Sequence, residues 1–253
     1  MGRVRRAAAN PEGACQYSDT LPARIMAGMR ARLIPASDRT LLLTWGDTLT
    51  LSAHRHVVRL LESLDRSPLG SAVDVSPAGA SILIRFDPRV FDHAAVAAQV
   101  ELLLADQTPA PAPPERIVEI PVSYGGEHGP DLEEVARRAG LSPDEVIRRH
   151  AENTYDVYFL GFLPGFAYMG SVPEAIACPR LPEPRPQVPA GSVGIAGRMT
   201  GVYPMPTPGG WRIIGRTPMS LFDPEHRPMA LLRTGDRVRF TPIDFMQPAA
   251  GGS

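Results

Sequence analysis

Two adjacent residues in the stretch YGGEHGPD (124–131) are typed for proton transfer: Glu127 and His128. They lie between glycine turns, just ahead of an expected helix start. Two readings are open. The pair is solvated turn chemistry, or it is an acid/base pair beside an anion-attracting helix N-terminus. The other histidines offer less. His54 and His56 sit on a helical stretch and are expected to face solvent, His93 opens a helix, His150 ends one and His226 falls in a turn. None has a partner at metal-ligand spacing, so no metal site is expected. No Gly-x-Ser-x-Gly elbow or HExxH helix occurs, and Ser192 has no base beside it in sequence.

A second group lies in VPAGSVGIAGRMTGVYPMPTPGGW (188–211). Glycines let backbone approach a ligand and prolines fix loop shape, although barrel turns need the same residues. Within this segment Arg198, Thr200 and Tyr203 are polar, Gly209 and Gly210 form a close pair, and Arg212 and Arg216 flank the strand that follows. Arg198 interrupts an apolar strand end. All 26 basic residues are arginine. The chain therefore has no lysine for a Schiff base, for biotin or for a phosphate loop. Any phosphate must be held by Arg, backbone amides or a metal.

The third group is YFLGFLPGFAYMG (158–170), aromatic-rich and uncharged. Its Gly and Pro disfavour a regular strand, and its apolar area disfavours an exposed loop. It is therefore expected to be covered, either by packing against the chain itself or by a partner. In the second case Phe162, Phe166 and Tyr168 are anchors.

The elements that must position these groups divide in two. Residues 40–45 read as a strand. Residues 52–64 form a helix with Ser52 as N-cap and Val57, Leu60, Leu61 and Leu64 on one face. AVDV and SILIRF (81–86) are strands, 92–104 a helix opened by Asp92, and 117–122 a strand. The order β-α-β-β-α-β is ferredoxin-like, with the allegiance of the last strand open. Helices follow over 131–140, with Asp131 as cap and Gly140 as stop, and from Ser142, which begins a capping box. From Tyr155 onward, short strands alternate with Gly/Pro turns, which implies a small barrel or sandwich. The expected α+β chain has a disordered tail (1–28, with Met26 or Met29 as an alternative start), an N-terminal ferredoxin-like α/β domain (29–107), a Pro-rich linker (108–115), a β-barrel domain with two inserted helices (116–243) and a second tail (244–253).

The 253 residues are 43% hydrophobic and 21% charged, with a net charge of -1. Nothing in that balance calls for nucleic acid or an acidic membrane. No apolar run reaches the ~18 residues of a membrane helix. Cys15 and Cys178 form no disulfide framework, so a cytoplasmic location is expected.

The motifs PVSYGGEHGPDLEEVARRAGLSPDEVIRRH, YDVYFLGFLPGFAYMG, VPAGSVGIAGRMTGVYP, TPGGWRIIGRTPMSLFD and LLRTGDRVRF, in this order, resemble the allophanate hydrolase subunit 1 family, as does RLIPASDRTLLLTWGDTL nearer the start. That family is also described as the B subunit of 5-oxoprolinase and as the Kip-type histidine-kinase inhibitor. The resemblance covers roughly residues 30 to 243. It implies a cyclophilin-like barrel after the α/β domain, and a further protein (allophanate hydrolase subunit 2, or the C subunit of 5-oxoprolinase) as partner. With a third subunit, such chains cleave 5-oxoproline to glutamate at the expense of ATP, held with Mg by the complex. No cofactor bound by this chain alone is evident. Two alternatives follow from the same family: a non-catalytic inhibitor of a sensor kinase, and the carboxyltransferase half of a urea carboxylase. The chain ends soon after the barrel with no fused second subunit or biotin domain, which favours the hydrolase subunit, expected to be inactive alone. Glu127, His128 and Arg198 are then the candidate catalytic groups. Phe162, Phe166, Tyr168, Thr200, Tyr203, Gly209, Gly210 and Arg216 are the candidate substrate or interface groups. Met199, where the family often has Gln, and Ala167, where it tends to have Pro, depart from the pattern.

Overall fold

The computed structural model describes residues 24–26, 29–105 and 116–244. The segment read as a linker lies outside them, as do most of the two expected tails. Within the first tail, Arg24–Met26 are described and pair with the next strand as β1.

The first half contains β1, β2 (Met29–Ser37), β3 (Thr40–Thr44), α1 (Leu51–Asp65), β4 (Val73–Ala78), β5 (Ser81–Phe86) and α2 (His93–Ala105). The sheet order is β1-β2-β3-β5-β4, antiparallel throughout. Period-two alternation decides which face is buried. Leu41 pairs with Ile84 and Leu43 with Ile82, and all four are fully buried. Val57, Leu60 and Leu64 of α1 and Val96 and Val100 of α2 cover that face. Each such side chain contributes about 1.5–3 kcal/mol of transfer free energy.

Two expectations change here, and one open question closes. The N-cap of α1 is Thr50, whose Oγ1 accepts from the Ala53 amide, because Thr50 has the extended backbone that a cap needs and Ser52 is already inside the helix. His54 does not face solvent. It is buried, edge-on to Tyr158 of the second half with ring centroids 5.0 Å apart. The strand over 117–122, whose allegiance the sequence leaves open, is not part of the first sheet. The place beside β3 is taken by β2, and the later strand joins the second half. The helix α2 starts as expected, with Asp92 Oδ1 accepting from the Ala95 amide.

The second half is a closed seven-stranded barrel, in keeping with the cyclophilin-like architecture that the family resemblance implies. Its strands are β6 (Ile117–Tyr124), β7 (Thr154–Leu160), β8 (Ala167–Gly170), β10 (Ser192–Ala196), β11 (Met199–Val202), β13 (Arg212–Arg216) and β14 (Arg237–Pro242), in the order β10-β11-β8-β7-β14-β6-β13. The β6–β14 pairing is parallel. Ile120, Val122, Tyr155, Val157, Met169, Val193, Ile195, Val202, Ile214, Val238 and Phe240 fill the interior. A two-stranded flap, β9 (Arg185–Val188) with β12 (Thr207–Gly209), stands outside the barrel.

Two helices are inserted between β6 and β7: α3 (Leu132–Ala139) and α4 (Pro143–Ala151). Ser142 caps α4 through the Glu145 amide, and Gly140 ends α3 at φ 65°, where only glycine is unstrained. Asp131 precedes α3 but makes no cap bond; its carboxylate is used in tertiary structure instead. No described helix is long and apolar enough to cross a membrane.

Candidate functional site

Strand polarity sorts the expected site residues. β10 is antiparallel to β11 and β13, and β13 is antiparallel to β6. The β10–β11 turn with Arg198, the start of β13 and the 125–130 turn with Glu127 and His128 therefore share the barrel end nearest α3 and α4. Arg216 and the β7–β8 hairpin with Phe162 lie at the opposite end. At the helical end, His128 Nε2 is 3.5 Å from Glu127 Oε1; Glu127 is largely exposed and His128 mostly covered. Arg198 is exposed, with Glu174 Oε2 at 3.9 Å, a loose surface pair. At the other end the Arg216 Nε donates to the Ala190 carbonyl at 2.8 Å. One site does not gather all of these groups.

Thr200, expected to face a ligand, is fully buried in the barrel. There it completes a network that no sequence pattern reveals. His150, also fully buried, approaches Tyr124 Oη through Nδ1 at 2.8 Å and Thr200 Oγ1 through Nε2 at 3.0 Å. Thr200 Oγ1 itself donates to the Gly194 carbonyl at 3.0 Å. That assigns the protons: His150 is neutral, donates from Nε2 to Thr200, and accepts from Tyr124 at Nδ1. Phe240 stacks on the ring at 4.6 Å. Burial without an anion lowers the His150 pKa to about 3. The network ties β6, which leads to His128, to β11, which begins just after Arg198.

The aromatic segment forms a second layer outside the barrel wall. Gly194 and Gly201 pair directly across β10 and β11 and leave a flat window. Phe166, Tyr203 and Trp211 pack over it, all buried, with ring centroids 5.3 and 5.4 Å apart for Phe166–Tyr203 and Phe166–Trp211. A Cβ on Gly201 would meet Phe166 Cζ at 3.0 Å and Trp211 Cζ3 at 3.1 Å. Gly201 admits aromatic rings, not a ligand, and Gly194 makes room for Trp211 Cβ and Ile213. Gly209 does the same for Tyr203: a Cβ there would lie 2.5 Å from the hydroxyl. Gly210 lies beside Pro184, just before the flap. Met199 packs against this layer, and Ala167 is buried opposite Leu160.

The hairpin itself is a true β-pair with a bulge. Val157 pairs with Met169 facing inward, Phe159 pairs with Tyr168, and Tyr158 is the extra residue between them. The bulge turns Tyr158 onto His54. Phe159 and Tyr168 stack at 4.5 Å. At the tip Phe162 is 59% exposed and has φ 69°, a conformation costly to a bulky side chain.

The clamp at Asp131 was also invisible to sequence reasoning. Its Oδ1 accepts from Arg185 Nη2 and its Oδ2 from the Ile213 amide, both at 2.7 Å. Flap, α3 and β13 are thus joined by one buried carboxylate. The only signal was an arginine framed by prolines in EPRPQVP.

A family described as "Carboxyltransferase domain, subdomain C and D" matches residues 31–232. The chain is 42% identical over 225 residues to a Bacillus subtilis (strain 168) protein named as the B subunit of 5-oxoprolinase, covering 85% of this chain and 94% of that protein. It is 44% identical over 215 residues to the Escherichia coli O157:H7 protein of the same name, covering 84% and 96%. Among solved structures, TTHA0988 superposes with a TM-score of 0.73 at 39% identity, over 84% of this chain and 41% of that one; the chain thus spans about two fifths of its length. The urea amidolyase of K. lactis shares the fold, with a TM-score of 0.67 at 18% identity, over 88% of this chain and 15% of that one. The family pattern runs from β2 deep into the barrel, and the relatives align over nearly their full length: the chain belongs to the carboxyltransferase subdomain C and D family, among relatives named as 5-oxoprolinase B subunits.

Proposed function

We propose that this chain is the B subunit of a cytoplasmic 5-oxoprolinase complex, which opens 5-oxoproline to glutamate as ATP becomes ADP and phosphate. The observation that carries this reading is the similarity to proteins of that name over 94–96% of their length. A lactam carbonyl is a poor electrophile. Transfer of the γ-phosphoryl group to its oxygen releases ADP and activates the ring carbon. One water adds there, the C–N bond opens as the ring nitrogen takes up a proton and leaves as the amine, and a second water hydrolyses the resulting acyl phosphate to the carboxylate and phosphate. Negative charge accumulates on oxygen during these steps, and Arg198 is an exposed cation suited to meet it. Glu127 and His128 are the pair suited to move a proton. The nucleotide and its Mg are assigned to the complex as a whole. The exposed aromatic tip at Phe162 is assigned to contact with one of the other subunits.

The test is reconstitution with the other subunits and measurement of ADP formed per 5-oxoproline consumed. Turnover that needs all subunits supports the proposal. Full turnover by this chain alone refutes its role as one part of a complex, and a complete complex that leaves 5-oxoproline intact refutes the substrate. The family's description favours carboxyl transfer as the second reading, which instead predicts exchange of a carboxyl group between carboxybiotin and an amide.

A further inference from the structure

We propose that Arg180, Arg185 and the Tyr203 hydroxyl, at the seam between the flap and the outer aromatic layer, form a binding site for a small carboxylate. Arg185 is held in place by Asp131, which takes its Nη2 at 2.7 Å. Its Nη1 is buried and has no hydrogen-bond partner. A buried guanidinium N–H left unmade is costly, so an acceptor at that atom gains more than the same contact in water. Arg185 pairs across the flap with Gly209, where an added Cβ would lie 2.5 Å from the Tyr203 hydroxyl, and the Leu181 amide, next to Arg180, donates to the Gly210 carbonyl at 2.7 Å, so the three groups share one neighbourhood. Burial holds the Tyr203 pKa above its ordinary 10, so the phenol keeps a proton to donate. Trp211 and Tyr168, ring centroids 5.8 Å apart, supply a flat apolar wall for the body of the ligand.

The arrangement at Arg185 selects the class of anion. Asp131 already holds one edge of this guanidinium. A phosphate dianion would stand one guanidinium away from Asp131 and be repelled. A planar carboxylate also fits an Arg edge in two parallel hydrogen bonds.

The site stands on this geometry; only the choice of 5-oxoproline as first probe rests on the function proposed above. The full-length chain, alone and in the reconstituted complex, is titrated calorimetrically with 5-oxoproline, 2-pyrrolidinone (the same ring without the carboxylate), cyclopentanecarboxylate and inorganic phosphate. We expect 5-oxoproline to bind about tenfold or more tighter than 2-pyrrolidinone, on the scale of one lost charge-assisted pair. Arg180→Gln, Arg185→Gln and Tyr203→Phe should each weaken it. Arg185→Gln also strips a partner from Asp131, so the exposed Arg180→Gln, with its melting temperature unchanged, is the decisive variant. Cyclopentanecarboxylate bound in an Arg180-dependent way without 5-oxoproline binding upholds the site and sinks the substrate. Turnover of 5-oxoproline with KM and affinity unchanged in all three variants overturns the site and leaves the substrate standing. Phosphate bound more tightly than any carboxylate, or no carboxylate bound by chain or complex, also overturns it.

Discussion

His150 and His54 show how burial sets the chemistry of a residue. Both are neutral in the folded chain because burial lowers their pKa, to about 3 and about 4 from an ordinary 6.5. The unfolded chain binds protons at these positions from pH 6.5 downward and the folded chain does not. Their contribution to stability is therefore intact above pH 6.5 and is lost as pH falls toward 4. At pH 5 the loss is about 2 kcal/mol for each histidine. Urea melts at pH 7.5 and pH 5 should differ accordingly, and His54→Gln should remove about half of the difference. A flat profile between those pH values would contradict the neutral assignment. Arg198 is the opposite case, exposed and loosely paired. Arg198→Met should shift the melting temperature by no more than about 2 °C, yet lower turnover of the complex by about 10²-fold. Unchanged turnover removes Arg198 from the chemistry.

At the scale of elements, the β10–β11 hairpin is shaped by what lies outside it. Gly194 and Gly201 face each other across the two strands; the rings of Phe166 and Trp211 occupy the space a side chain at Gly201 would need, and Trp211 Cβ and Ile213 Cδ1 the space at Gly194. Gly201→Ala should cost about 1–3 kcal/mol, because backbone (the Ala167 carbonyl, 3.0 Å away) and two buried rings must all shift. Chemical denaturation reads this directly, and an unchanged midpoint would mean that the layer is loosely packed. The bulge at Tyr158 is a second device of the same scale. It breaks strict alternation so that one residue of a barrel strand meets α1 of the other half.

At the scale of the whole molecule, the exposed tip of the β7–β8 hairpin is the best candidate for contact with another subunit. Phe162 keeps a strained backbone and presents an aromatic ring to solvent beside Leu163 and Pro164. Phe162→Ser should leave the melting temperature nearly unchanged, since the ring supports little of the core. It should weaken assembly with the partner chain by about tenfold or more, as loss of an aromatic anchor does. Sedimentation of equimolar mixtures measures this, and an unaltered complex places the contact elsewhere.

The sequence by itself determined the local order of this protein. The short apolar runs in TLLLTW and SILIRF, the capping box at Ser142, the left-handed stop at Gly140 and the family motifs are written in neighbouring residues, so they were legible without coordinates. The tertiary structure decided what depends on distant partners. The strand at 117–124 joins the barrel because β14, more than a hundred residues later, offers it a parallel partner, while β2 fills the place beside β3. Asp131 looks like a helix cap from its neighbours and becomes a clamp because Arg185 and the Ile213 amide converge on it. Thr200 and His150, fifty residues apart, read as unrelated polar residues until the barrel closes around both. Hydrogen bonding and burial act through space, and a pattern of nearest neighbours carries no record of which distant group will arrive.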